Sequence, residues 1–489
     1  VLAPRRPPIT VPEGGDLQAA IDRAVPGDVI ELARGATYTG NYWLPVKGGD
    51  ARPEGWITIR PAPGPPLPPA GTRMTPPRAD ALRLPRLVPP NNVPVFQTAL
   101  AAHHYYLLGL DISVGTQPDV NTLVAFGTDS WGGHQNTLAD VAHHLVLDRS
   151  LVRGAPGATL RRGVALNAGW SAVVDSWVSD VHEQGSDAQA VAGWNGPGPY
   201  RIDNNYLESS TEVIVFGGTD PASPELSPAD VTVTRNMMTR PLAWRGVWGV
   251  KTIFELKNAR RVLVEGNILE HCWADVWDGS AVALKSVNQG GSAPYSGTLD
   301  VTVRRNLIRD VGSGINISSN PQNPRDQVTL LARVAVTDNL LLRVAEPPYD
   351  GARRSFEVLG NVSDVAVTHN TVWTPAASIN TLTMGQPGDQ TTRFRFDDNL
   401  IATPENYGIT ADAVGDARHG MATYAPDGSM RGNAIAGRSD SPEWFAQNYP
   451  DGNRQIPFAD VGFAPDLSLL PTSPLHGTAT DGRDPGADI

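Results

Sequence analysis

One ten-residue phrase recurs along this chain: YRIDNNYLES, VTVTRNMMTR, VLVEGNILEH, VTVRRNLIRD, VAVTDNLLLR, VAVTHNTVWT and FRFDDNLIAT. Its shared asparagines are Asn205, Asn236, Asn267, Asn306, Asn339, Asn370 and Asn399, separated by 31, 31, 39, 33, 31 and 29 residues. Large apolar residues stand five before each asparagine (Tyr200 to Phe394), three before (Ile202 to Phe396) and two after (Leu207 to Ile401), and no column breaks. Alternation at period 2 that changes phase after the asparagine describes a short strand turning into the next one. Two or more strands in a unit of about 30 residues make one coil of a solenoid rather than part of a sandwich.

The asparagine fits a tight bend, where its amide bonds neighbouring backbone and left-handed geometry is tolerated. With coils about 4.8 Å apart, each amide also reaches the one below, forming a ladder. Earlier copies are looser, with Ser150 and Ser176 in the asparagine column and YLLGLDIS near Leu108 as the first full turn. That predicts about ten coils. A second strand follows in most of them: GVALN, TEVIVF, IFELK, AVALK, GINIS, SFEVL and TLTMG. Residues 16–24, DLQAAIDRA, read as an amphipathic helix started by Asp16 and stopped by Pro26-Gly27. The predicted organisation is a cap segment over 1–26, an all-β parallel β-helix over 27–404, and a loop-rich capping segment over 405–489.

The stretch GDLQAAIDRAVPGDVIELARGATYTG resembles the opening of pectate-lyase-like right-handed parallel β-helix proteins, and ATDGRDPGADI is similar to their tails. With the asparagine coils, the resemblance covers roughly residues 10–400 and implies a single-stranded right-handed β-helix. That scaffold carries lyases, hydrolases, epimerases, esterases and non-catalytic adhesins, so the resemblance does not select a chemistry. For the lyases among them it implies lysine and arginine on an outer face, in many cases with Ca²⁺. Their motif does not align onto particular residues of this chain.

Composition narrows the classes. A net charge of −12 gives no basic stripe for nucleic acid. The single cysteine, Cys272, excludes an intrachain disulfide framework and a cysteine-rich zinc site, and it reads as a small buried side chain. No apolar run approaches membrane-spanning length. Val1 in place of a methionine fits a processed N-terminus, so a secreted or periplasmic location with the signal peptide removed is expected, as is a monomer.

Parallel stacking projects equivalent side chains into rows on an outer face. In IFELK, Phe254 and Leu256 point inward and Glu255 and Lys257 outward; in AVALK, Val282 and Leu284 point inward and Lys285 outward. Lys257, Lys285 and Ser318 therefore form one predicted row, with Glu255, Ala283 and Asn316 beside it. Two neighbouring lysines depress each other unless an anion lies between them. A depressed lysine is a competent base and a charged one neutralises a uronate, as β-elimination requires. The competing description is a solvated charge ladder with Glu255 as counter-ion. Trp194, Trp244, Trp248 and Trp277, with Asn167 and Asn316, are the candidate sugar contacts, because flat apolar faces beside polar groups suit sugar rings. Each tryptophan alone serves equally to bury a loop.

A second candidate is the loop holding His182, Glu183 and Asp187, whose carboxylates could serve glycoside hydrolysis or, with the imidazole, hold a divalent ion. His103-His104 and His143-His144 occupy like positions 40 residues apart, as structural stacking predicts, with metal ligation as the alternative. The functional expectation is a polysaccharide lyase acting on an acidic glycan. The alternatives are a glycoside hydrolase or uronate epimerase on the same scaffold, or a non-catalytic adhesin, sheath or surface-layer protein. Unequal coils, and the longer step between Asn267 and Asn306, favour an enzyme.

Overall fold

The computed structural model describes residues 6–48, 55–128, 135–319, 331–385, 388–410, 416–437 and 441–488. It divides into two compact units, Val1–Thr239 with Ala243–Gly249 and Arg240–Leu242 with Val250–Ile489. In each unit, every named strand pairs in parallel with its equivalent one coil away, and the strands fall into three sheets. The fold is an all-β parallel β-helix.

In the first unit, the first sheet runs Ile9–Val11, Val29–Leu32, Ile57–Pro61, His103–Leu108, His143–Asp148, Gly169–Val174, Tyr200–Asp203 and Ala229–Thr234. In the second unit it runs Ala259–Glu265, Thr298–Arg304, Ala332–Thr337, Ser363–Thr368, Arg395–Asp397 and Ser429–Arg431. Eight rungs in one unit and six in the other exceed the ten coils expected. The N-terminal coils lack an asparagine phrase, and those of Asn433 and Asn453 keep the asparagine without all its apolar columns, so they went uncounted. Pairing also runs past both ends of the 27–404 span: Ile9–Val11 pairs with Val29–Leu32, and Ala434–Ala436 with Arg454–Ile456.

The asparagine ladder forms within each unit. Asn205 Nδ2 donates to Asn236 Oδ1 at 3.0 Å. In the second unit, Asn267, Asn306, Asn339, Asn370, Asn399, Asn433 and Asn453 are joined at 2.8–3.0 Å per step. Each Oδ1 also accepts the backbone N–H of the preceding asparagine, and each Nδ2 reaches a carbonyl, as Asn339 does to Val303 at 2.8 Å. The serines substitute in kind: Ser150 N donates to Ser176 Oγ, and Ser176 N to Asn205 Oδ1. The left-handed residue is not the asparagine but the one before it, as at Arg235 (φ 55°), Asp338 (54°) and His369 (51°). The asparagine keeps ordinary geometry and spends its amide on the stack.

The expected helix forms as Leu17–Arg23, with Asp16 accepting from Ala19 N at 2.9 Å. It buries Leu17, Ala20 and Ile21, and it lies against Ile9–Val11 and Tyr42–Leu44. In the second unit the C-terminal tail returns along the coils: Thr480 donates twice to Asp398, and Ala487 N donates to Thr371 Oγ1 at 2.9 Å.

Asn339→Leu strands Asn306 N–H, Val303 C=O and the Asn370 amide in a dry interior, so a loss of about 3 kcal/mol is expected in denaturant unfolding. Deleting residues 1–26 removes both the pairing strand and the helix and opens an apolar edge. The truncated chain is expected to elute as aggregates and to melt at lower temperature; a monomer with unchanged melting would deny residues 16–24 a capping role.

Candidate functional site

The second sheet of the second unit contains Phe254–Leu256, Ser280–Lys285, Ser313–Ser319 and Arg354–Gly360. Phe254 pairs with Val282 and Leu256 with Leu284, and all four are fully buried in the coil interior. That register sets Glu255, Ala283, Asn316 and Glu357 side by side on the opposite face, with Lys285 beside Ser318. The predicted rows exist. They are not a solvated ladder, because the Glu255 side chain is 2% exposed and those of Lys257 and Lys285 are 17% and 20% exposed.

Glu255 is the anion between the lysines. Lys257 Nζ lies 3.6 Å from one carboxylate oxygen and Lys285 Nζ lies 3.5 Å from the other. Lys285 also sits 3.0 Å from the centroid of the Trp277 ring, a cation–π contact. Burial pushes the Lys285 ammonium below its ordinary value, Glu255 works against that shift, and Lys257 adds to it. At the far end of the row, Glu357 accepts from Asn316 Nδ2 and from Arg354. Burial pushes its carboxyl upward against the opposing effect of Arg354, and Asp278 adds to the rise.

Trp277 is held by a tied loop. Asp275 N donates to Trp277 O, Ala274 N to Asp350 O, and Ser280 Oγ to Asp278 Oδ1 at 2.7 Å. Gly279 closes the loop at φ +81°, where a Cβ would lie 2.9 Å from Ala274 N. Arg354 Nη1 stands 4.0 Å from Asp278. Arg354 went unnoticed in the sequence, since it precedes the apolar alternation that set the phase.

The remaining candidates lie in the first unit, away from this cluster in the chain. Asn167 is buried, and its Oδ1 is committed to structure, accepting Trp194 N and Asn195 N. Trp194 is largely buried beneath Arg162, whose guanidinium lies 4.6 Å from the ring. Both residues line a groove with Asn121, Gln97 and the half-exposed Trp43. Trp248 and Trp244 pack on His182, stacked at 4.0 Å and edge-on at 5.1 Å. His182 is fully buried beneath them. Glu183 pairs loosely with Arg161 at 3.9 Å, and Asp187 is half-buried. Cys272 is buried, and burial raises its thiol, so it is inert.

The lysine face does not fit Ca²⁺. Its oxygen donors are already engaged by cations, Glu255 by two lysines and Glu357 by Arg354. Among the described residues, the grouping of His, Cys, Asp or Glu ligand atoms tight enough for an ion is the three imidazoles of His104, His143 and His144.

No family model matches the sequence, and no curated protein matches it. Solved structures do. An alginate lyase of family PL6 aligns over 98% of this chain and 58% of its own length, at 15% identity and TM-score 0.50. The chain thus spans little more than half of that lyase. A tailspike of the E. coli bacteriophage HK620, solved with a pentasaccharide, aligns over 91% of this chain and 74% of its own, at 13% identity and TM-score 0.49. At such identities the likeness is one of fold. Among the described residues no helix is long and apolar enough to cross a membrane.

Glu255→Gln is expected to lower the Lys285 pKa further, because it removes the charge that opposes desolvation. The neutral amine then predominates at lower pH. Competitive acetylation of Lys285 read by mass spectrometry should show its reactivity midpoint moving to lower pH; an unmoved midpoint would mean that Glu255 does not hold the proton.

Proposed function

We propose that this chain is an exported carbohydrate-active enzyme, and that it is a polysaccharide lyase cleaving an acidic glycan by β-elimination at the Lys257–Glu255–Lys285 face. The observation that supports this most is two half-buried lysines sharing one carboxylate, one of them depressed and roofed by Trp277. β-Elimination on a uronate needs a neutralised carboxylate, a base for the proton on C5, and a proton for the departing O4. Lys257 supplies the positive charge facing the sugar carboxylate. Lys285 in its neutral form takes the C5 proton as the C4–O4 bond breaks, and its ammonium then stands on the same face to protonate O4. Trp277 offers an apolar edge against which a sugar ring orients. The scaffold is one on which an alginate lyase is built. A polymeric acidic substrate lies outside the cell, which is why export belongs to the proposal.

One observation favours a second reading. The upward-shifted carboxyl of Glu357, in a row that also holds the lysine-paired carboxylate of Glu255, is the contrast between acid and base that glycoside hydrolysis uses.

A panel of acidic and neutral polysaccharides separates these readings. Ultraviolet absorbance of unsaturated uronate marks a lyase, and reducing ends without it mark a hydrolase. On a confirmed substrate, Lys257→Ala and Lys285→Ala should each lower turnover by about 10²-fold with little change in melting temperature. Trp277→Ala should raise KM more than it lowers kcat. Full activity in both lysine variants would move the site elsewhere, and silence across the panel would favour a structural solenoid.

A further inference from the structure

His103, His104, His143 and His144 begin two successive rungs of the first sheet, with His143 in register with His103. Their rings form a block. His103 stacks on His143 at 5.0 Å and His104 on His144 at 4.4 Å, while rings within each pair stand at right angles. Within the pairs Nδ1 faces Nδ1, at 2.8 Å in His103–His104 and 2.7 Å in His143–His144. Trp56 closes the block edge-on against His104 and His144, and Trp170 lies flat on His144 at 5.6 Å.

The column containing His104 and His144 shows how unusual this is. Many rungs enter the strand through a left-handed residue, among them His104 (φ 61°), His144 (55°) and Trp170 (47°). In the second unit the same position holds Arg261, Asp300, Arg333, Asp364 and Arg393, also left-handed. There neighbouring coils carry opposite charge, and Arg333 pairs with Asp300 and Arg393 with Asp364. Stacking one titratable group on another is thus solved elsewhere by alternating sign. Four imidazoles in a block have no counter-charge among themselves, and the Nδ1–Nδ1 contact within each pair has room for one bridging hydrogen.

We propose that this histidine block is a binding site for a borderline divalent transition-metal ion of the Zn²⁺ type, with His104, His143 and His144 supplying the ligands and His103 the fourth position or the outer support. One donor atom from each of the three lies within 4.8 Å of the others. Ligand nitrogens of a tetrahedral Zn²⁺ site stand about 3.3 Å apart, so the His143–His144 pair must open by about half an ångström and the His104 ring must close toward it. Imidazole is a preferred ligand for such ions, and an all-nitrogen set selects against Ca²⁺ and Mg²⁺. Binding needs only that the shared hydrogens move to Nε2, with no net proton lost. The site is independent of the lysine face and of the reaction proposed there.

The test uses the full chain, free of any histidine tag and stripped with chelator. Titration with Zn²⁺ by calorimetry and with Co²⁺ by visible absorbance should give one ion per chain, with Kd below about 10 µM, and Zn²⁺ should raise the melting temperature. His104→Gln and His143→Gln should each weaken binding by at least about tenfold, whereas His419→Gln and His476→Gln should not. Should a ligand variant misfold, tryptophan quenching by Cu²⁺ in the unaltered protein provides the second reading: it should be strong, and reduced in Trp170→Phe. No saturable binding, or binding that survives the His104 and His143 variants, would overturn the proposal and leave the block as a proton-sharing stack.

Discussion

Everything in this protein depends on stacking a coil on its neighbour without stranding polar groups in the interior. A sharp bend between strands leaves N–H and C=O groups facing inward, and unpaired they cost more than any single apolar contact returns. The asparagine side chain resolves this at every rung of the second unit. One oxygen accepts the preceding asparagine's backbone and side-chain N–H, and the amide nitrogen donates to a carbonyl. Because each member is bonded on both sides, the column fixes the register of all three sheets, and therefore which side chains line up outside.

Register is what turns a sequence alternation into a site. Ile315, Val282, Leu284, Phe254 and Leu256 are driven inward by burial, and this forces Glu255, Lys257, Lys285, Asn316 and Glu357 onto a common face. Had the face been open to water, ion pairs at 3.5–3.6 Å would contribute little. Half-buried, they matter in another way: desolvation works against the charged form of Lys285 while Glu255 defends it. The same burial raises Glu357. A cluster of charged groups whose proton affinities are displaced by their surroundings is how active sites are commonly marked.

The sequence carried the fold and the rows because both arise from strict periods: columns of asparagine and valine, and alternation within short strands. It did not carry what breaks the period. The coils before Leu108 carry no asparagine phrase, and those of Asn433 and Asn453 keep the asparagine but lose apolar columns around it, so they escaped the count. Arg354 lies outside the alternation and could not be phased. The tryptophans show the limit most clearly, since loop residues have no period to follow. Trp277 lies over Lys285, whereas Trp244 and Trp248 bury His182 and Trp194 lies beneath Arg162. Asn167 had the right composition for a sugar contact, but its carbonyl oxygen is occupied by two backbone N–H groups.

The shared carboxylate also bears on how a lyase would divide labour between two lysines. A substrate uronate brings a second negative charge to the face, and alone it would raise both ammonium pKa values and weaken either as a base. The arrangement escapes this only if the charges are unequal in position. A sugar carboxylate paired with Lys257 would keep that positive charge in place, and the charge adds to the depression of Lys285, over which Trp277 lies. Glu255, bonded to both, is then the element that keeps the difference from growing so large that Lys285 could not regain its proton for the leaving oxygen. In such a lyase the Trp277 ring over Lys285, rather than a difference in exposure, would distinguish base from neutraliser.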